Sequence, residues 1–314
     1  MENLIFSLNA TVPVFLMMLL GLLFRRIGWI DEQFASKMNK FVFMVPLPVL
    51  VFEDLATVDF EKVWNVQFVL FCFGATVLSI ASAAAVSCLW KDKCIQGEFI
   101  QASYRSSAAL LGIAFIQNIY GNSGMGPLMI IASVPIYNIM AVTVLSFFKP
   151  DRGKMNGALI KKTLKGIATN PIILGILVGV IWSFLDLPKP QILMKTVKNL
   201  GVLATPLGLM AMGAAFDEKK AFAKLAPALT AAVMKLLGWG CIFLPIAVML
   251  GFRNQELVAV LVMLGSATTV TCYVMARNMG HEGVLSSSIV MITTFCSAFT
   301  LTGWLWLMRS MGLI

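Results

Sequence analysis

The chain has 314 residues, is 59% hydrophobic and has a mean hydropathy of +0.87, while only 12% of its residues are charged. A water-soluble domain carries roughly 25% charged residues, so composition excludes an ordinary soluble enzyme and points to lipid as the solvent. The net charge of +9 does not indicate a nucleic-acid binder, because the basic residues lie in loops between apolar runs rather than on one polar face.

Each crossing of the hydrocarbon layer takes roughly 20 apolar residues. Apolar runs and their breaks predict ten spans: Leu4–Phe24, Asn39–Leu55, Val66–Trp90, Phe99–Ile119, Met125–Phe148, Ile167–Leu185, Leu193–Phe216, Phe222–Leu250, Leu257–Met279 and Val284–Met308. The longest polar stretch, Lys149–Lys165, separates residues 1–148 from 166–314 as two five-span halves. The first apolar run has no basic residues before it and two arginines after it, so it reads as a span rather than a cleavable leader.

Sixteen Lys and Arg residues fall in one set of loops, six in the other, and Arg105 and Lys235 fall within spans. The positive-inside rule then puts the first set in the cytoplasm and both termini outside. A five-span half is odd, so the second half would enter the membrane inverted relative to the first.

The halves also repeat in sequence. Asn39 and Pro46-Leu47 recur 160 residues later as Asn199 and Pro206-Leu207, Ser106 recurs as Ser266, and Pro13 to Gly21 recurs as Pro171 to Gly179 at an offset of 158. Packing alone could favour such prolines and glycines. Their place on equivalent spans favours an inverted repeat, with a binding site where the halves meet.

Polar and small residues inside spans mark the candidate site. The fourth span holds Arg105, Ser106 and Ser107, and the ninth holds Ser266, Ala267, Thr268, Thr269 and Thr271. Such hydroxyl-rich runs suit close helix packing or helices broken in mid-membrane, whose N-termini would face an anion. Lys235 lies near the middle of the eighth span. With Arg105 it would attract a negatively charged substrate, since Glu53, Asp54, Glu98 and Asp186 are expected in solvent at span ends. Pro46, Pro48 and Pro206 would free backbone carbonyls. Asn39, Asn199 and Asn138 would add hydrogen bonds near the break.

The six cysteines show no paired spacing and read as packing residues. His281 is the single histidine, in a predicted loop, so neither a histidine relay nor a metal site is expected. There is no phosphate-binding glycine loop with its lysine, and no cofactor is expected.

Asn39 to Pro48, Tyr104-Arg105 with Gly112, Pro135-Ile-Tyr-Asn138, Asn170-Pro171, Thr205-Pro-Leu207 with Gly213, and Ala276 to Gly280 together resemble the auxin efflux carrier family. The short central link is similar to that of its bacterial members, often labelled malonate or dicarboxylate transporters. The resemblance implies an all-α membrane protein of ten transmembrane helices in two inverted five-helix repeats, with crossed, broken fourth and ninth helices. It implies elevator-type movement of an organic anion, and often a homodimer. Where the family commonly has crossover prolines, this chain has Ala114 and Ala267, and Ser107 stands where the family commonly has asparagine.

The expectation is therefore a plasma-membrane secondary transporter for a small organic anion, with the lipid bilayer as its other partner. A channel or ligand-sensing membrane protein of the same fold is the alternative. An intramembrane enzyme lacks a convincing acid–base pair.

Overall fold

The computed structural model describes residues 2–57, 65–108, 112–121, 124–149 and 157–314. Every regular element among them is helical. Six helical stretches are long and apolar enough to cross a membrane: Glu32–Ala56, Val66–Ser87, Gly126–Phe147, Gln191–Ala214, Leu225–Met249 and Val284–Ser310. Large apolar side chains such as Leu177, Ile181, Phe184 and Ile192 face outward, at 51%, 53%, 83% and 84% exposure. That surface is unsuited to water and suited to lipid.

In chain order, α1 is Glu2–Arg26, α2 Glu32–Met44, α3 Pro46–Ala56, α4 Val66–Ser87, α5 Lys93–Tyr104, α6 Ile113–Tyr120 and α7 Gly126–Phe147. The amphipathic link helix α8, Gly157–Ala168, begins the second series. Then come α9 Pro171–Phe184, α10 Gln191–Val202, α11 Ala204–Ala214, α12 Glu218–Ala223 and α13 Leu225–Val233. A π-helical turn, Met234–Gly238, joins α13 to α14 Trp239–Met249, followed by α15 Asn254–Gly265, α16 Thr271–Asn278 and α17 Val284–Ser310. The central link lies partly outside the described residues.

Local chemistry sets these boundaries. Asp31, Asn65 and Asn170 accept hydrogen bonds from the backbone amides of Phe34, Phe68 and Ile172 at 2.6, 3.0 and 2.9 Å, capping α2, α4 and α9. Pro46 has no amide hydrogen to continue α2, so the chain breaks at Val45 (φ −125°, ψ −71°) and restarts with the proline in the first turn of α3. Pro206 has the same effect, and the helix breaks at Leu203 between α10 and α11.

The helices sort into two groups that share a packed boundary, with α1 against α17 and α2 against α16. One packs α1 on α11, α3 on α9 and α10, and α2 on α11. Its core holds Met18, Val42, Leu47, Val51, Ile172, Ile176, Leu209 and Met212. The other packs α4 on α5 and α7, α13 on α17 and α14 on α15, around Phe68, Tyr104, Phe115, Met129, Trp239 and Leu257 to Leu264.

Two close approaches in the first group are reciprocal. A Cβ on Gly179 would lie 3.0 Å from the carbonyl oxygen of Phe52, and a Cβ on Gly21 would fall on the carbonyl of Met210. Gly21 and Gly179 are 158 residues apart, as are Phe52 and Met210. Glycine is required at both places because the neighbour is backbone, which a side chain cannot push aside.

Three carboxylates expected in solvent are buried or half-buried. Glu98 is fully buried, and its two carboxylate oxygens accept from the amides of Gly283 and Ser286 at 2.8 Å each. The open N-terminus of α17 attracts the carboxylate inward, where it meets unpaired donors and a positive dipole end. Glu53 and Asp54 are half-buried rather than solvated. His281, although in a loop, is buried with its Nε2 2.9 Å from the carbonyl oxygen of Leu145.

Candidate functional site

Two helices are interrupted inside the second group. Residues 105–107 leave the helix after α5, and 266–269 leave it after α15. Ser266 is fully extended at φ −75°, ψ 165°. The breaks meet, and the Ser107 amide donates to the Ala267 carbonyl at 3.0 Å. A broken helix needs partners for its released backbone groups, and side chains supply many of them. Thr268 Oγ1 donates to the Ala102 carbonyl at 2.9 Å, its own amide donates to Thr293 Oγ1 at 3.0 Å, and Gln101 Nε2 donates to the Cys272 carbonyl at 2.9 Å. Trp239 Nε1 reaches the Ser103 carbonyl at 2.8 Å. Ser106 Oγ donates to the Met263 carbonyl, which also accepts from Tyr137 OH at 3.1 Å.

Arg105 is 3% exposed and lies against the crossing. Its Nη2 donates to Asn138 Oδ1 and to Thr271 Oγ1, both at 2.8 Å, and its Nη1 lies 2.8 Å from Met275 Sδ. Its Nε has no hydrogen-bond partner. No carboxylate neutralises this guanidinium in those contacts. A buried cation held only by neutral groups is a strong attractor for an anion.

A cavity of about 50 Å³ opens onto this group. Leu47, Leu50, Val51 and Asp54 of α3 form one wall, the crossing supplies Arg105, Ser106, Ser107, Ala108, Thr269 and Thr271, and Val134, Tyr137 and Asn138 of α7 complete it. The cavity thus lies between the two helix groups.

A family model described as "Membrane transport protein" matches residues 6–305. The chain belongs to this family. Its membership agrees with the resemblance to auxin efflux carriers, and the apolar helices make it a multi-pass membrane protein. A relative from Rhizobium meliloti (strain 1021), described as "Putative malonate transporter", is 26% identical over 317 residues, covering 95% of each chain.

Within this family member, six residues singled out from sequence line the cavity: Arg105, Ser106, Ser107, Asn138, Thr269 and Thr271. Ala267 and Thr268 lie buried in the crossing itself, as does Ser266, whose hydroxyl has no partner. Ala114 falls inside α6, beyond the break. Pro46 is buried at the α2–α3 break, Pro48 backs onto Gly175, and Pro206 lies half-buried in α11. None of the three prolines lines the cavity. Asn39 is buried in α2, where its carbonyl accepts from Asn278 Nδ2 at 3.2 Å and its own Oδ1 is unpaired. Asn199 is exposed on α10.

Lys235 is fully buried, but its ammonium points into the crossing rather than lining the cavity. Alongside apolar lining such as Leu50 and Val134 and the phenol of Tyr137, Asp54 is the one charged cavity residue that sequence reasoning missed. Its only sequence signal is a carboxylate eight residues past a helix-breaking proline, one helical face on from Leu47 and Val51.

Proposed function

We propose that the protein is a secondary carrier for a small organic anion, with short dicarboxylates such as malonate the first candidates. The observation that carries this reading is Arg105, a buried guanidinium that lines the cavity between the helix groups and meets only neutral partners. A substrate carboxylate would take up the free donor capacity of Arg105, with Ser107, Thr269 and Asn138 within the same cavity. The N-terminus of α16 at Thr271 adds a partial positive charge to the same wall. The name of the relative described as a malonate transporter supports the choice of substrate class.

The cavity of about 50 Å³ has room for a few waters and not for malonate. Binding therefore requires the α3 wall to draw back from the crossing. Movement of the α4–α7 and α13–α17 group against the α1–α3 and α9–α11 group would do this, and would carry the site across the membrane in an elevator-type cycle. The split of loop charges supports inverted five-span halves with both termini outside, in the plasma membrane.

The direct test is uptake of radiolabelled malonate and related carboxylates into proteoliposomes holding purified protein. Saturable uptake that Arg105→Ala abolishes supports the reading. Uptake that Arg105→Ala leaves unchanged removes Arg105 from the site.

A further inference from the structure

Lys235 is placed as a metal ion would be. Its ammonium donates to the Leu264 carbonyl at 2.7 Å, to the Ser106 hydroxyl oxygen, and to the Tyr104 carbonyl at 3.4 Å. All three partners are neutral oxygens, and no carboxylate among the described residues pairs with it. Tyr104 ends α5 and Leu264 lies in the last turn of α15, so both carbonyls belong to the negative ends of half-helices. Unwound carbonyls and half-helix C-termini are where carriers with broken helices coordinate sodium or protons.

The position is symmetric as well. Tyr104 and Leu264 are 160 residues apart, the same offset as Ser106 and Ser266. The residue 160 before Lys235 is Ala75, so one half supplies a cation and the other supplies none. Ser266 is buried, and its hydroxyl has no partner. The π-helical turn that holds Lys235 widens its helix, and Trp304 Nε1 satisfies the Leu236 carbonyl there at 3.0 Å.

We propose that Lys235 is a built-in cation occupying a monovalent-ion site at the helix crossing, so that this carrier binds its anion without sodium. The tethered ammonium neutralises both half-helix ends. Removing it leaves a vacant oxygen cage that a free alkali cation fills.

The inference concerns the coupling of the carrier proposed above, but its main test needs no flux. Purified wild type, Lys235→Ala and Lys235→Met would be melted in choline chloride with increasing NaCl, LiCl or KCl. Wild type should show no cation-specific shift. Lys235→Ala should show a saturable rise of several degrees with one alkali cation, and adding Ser106→Ala should cut that rise. Lys235→Met, whose stem still fills the space, should respond less. A saturable sodium shift in wild type overturns the proposal, as does a folded Lys235→Ala that responds to none of the three ions. If neither variant folds, wild-type melting in sodium against choline decides alone: equal curves support the proposal and a saturable sodium shift overturns it. A carrier that moves no malonate but passes the cation test loses its substrate assignment and keeps its internal cation.

Discussion

The amide of Ser107 donates to the carbonyl of Ala267 at 3.0 Å, and these two residues stand 160 apart in the chain. Ser106 with Ser266 and Tyr104 with Leu264 share that offset. The two breaks therefore meet at corresponding points of the two halves. The contact is one-sided in its chemistry, since one residue gives an amide and the other a carbonyl.

That asymmetry predicts opposite responses to proline. Ser107→Pro removes the donated N–H and leaves the Ala267 carbonyl buried without it, a loss of about 1–3 kcal/mol. Ala267→Pro keeps the carbonyl, and the extended Ser266 before it already has the backbone that precedes proline. In thermal melting, Ser107→Pro should fall several degrees below wild type and Ala267→Pro should stay close to it. Equal losses in both variants would contradict the assignment of donor and acceptor.

Helix breaks made by proline were legible in the sequence, because Pro46 and Pro206 cannot donate to the preceding turn. The hydroxyl-rich breaks were legible from composition, and Arg105 from the cost of a charge within a span. Glu98 and Asp54 were misplaced for a common reason. Hydropathy locates a charge along the membrane normal, whereas burial depends on which helix packs beside it. The destination of Lys235 was hidden because its partners are mainly backbone carbonyls, which leave no trace in side-chain pattern. The link helix α8 was read as a polar connection because its lysines outweighed its apolar stripe.

Glu98 tests the buried-cap account. Glu98→Ala leaves the amides of Gly283 and Ser286 without their acceptor at the start of α17, with a cost of about 1–3 kcal/mol. Glu98→Gln keeps one acceptor oxygen and should lose less. Melting temperatures in the order wild type, glutamine, alanine are expected.

The reciprocal glycine contacts predict sharp sensitivity to small side chains. Gly21→Val and Gly179→Val each press a side chain onto the backbone of the facing helix, and such overpacking costs typically about 1–3 kcal/mol. Gly74, with open space around its Cβ direction, should accept alanine with little change in melting temperature or detergent-extracted yield.

Asp54 shares the cavity with Arg105, and in its ionised form it opposes an incoming anion. Asp54→Asn should tighten carboxylate binding several-fold in a ligand-induced melting shift. Weaker binding would mean that Asp54 orients the substrate rather than repelling it.

The loop ion pair between Lys224 Nζ and Glu282 Oε2, 2.6 Å apart, gives a pH dependence. The hydrogen bond and charge of Lys224 hold the Glu282 carboxyl below its ordinary range. A depressed folded value means that the stabilisation is complete above the unfolded value and is lost as pH falls through the folded one. Glu282 is 52% exposed, so the pair contributes no more than about 0.5 kcal/mol. Glu282→Gln should melt slightly below wild type at pH 7, and the difference should vanish in acid once the pH has fallen below the depressed folded value of Glu282.

The central claim is that a small organic anion binds at Arg105 in the crossing. Calorimetric titration of malonate into detergent-purified wild type, Arg105→Lys and Arg105→Ala tests it most directly. The account predicts saturable binding to wild type, weaker binding to the lysine variant, which keeps the charge but not the fork of donors, and none to the alanine variant. Malonate binding of equal affinity to wild type and Arg105→Ala would contradict it.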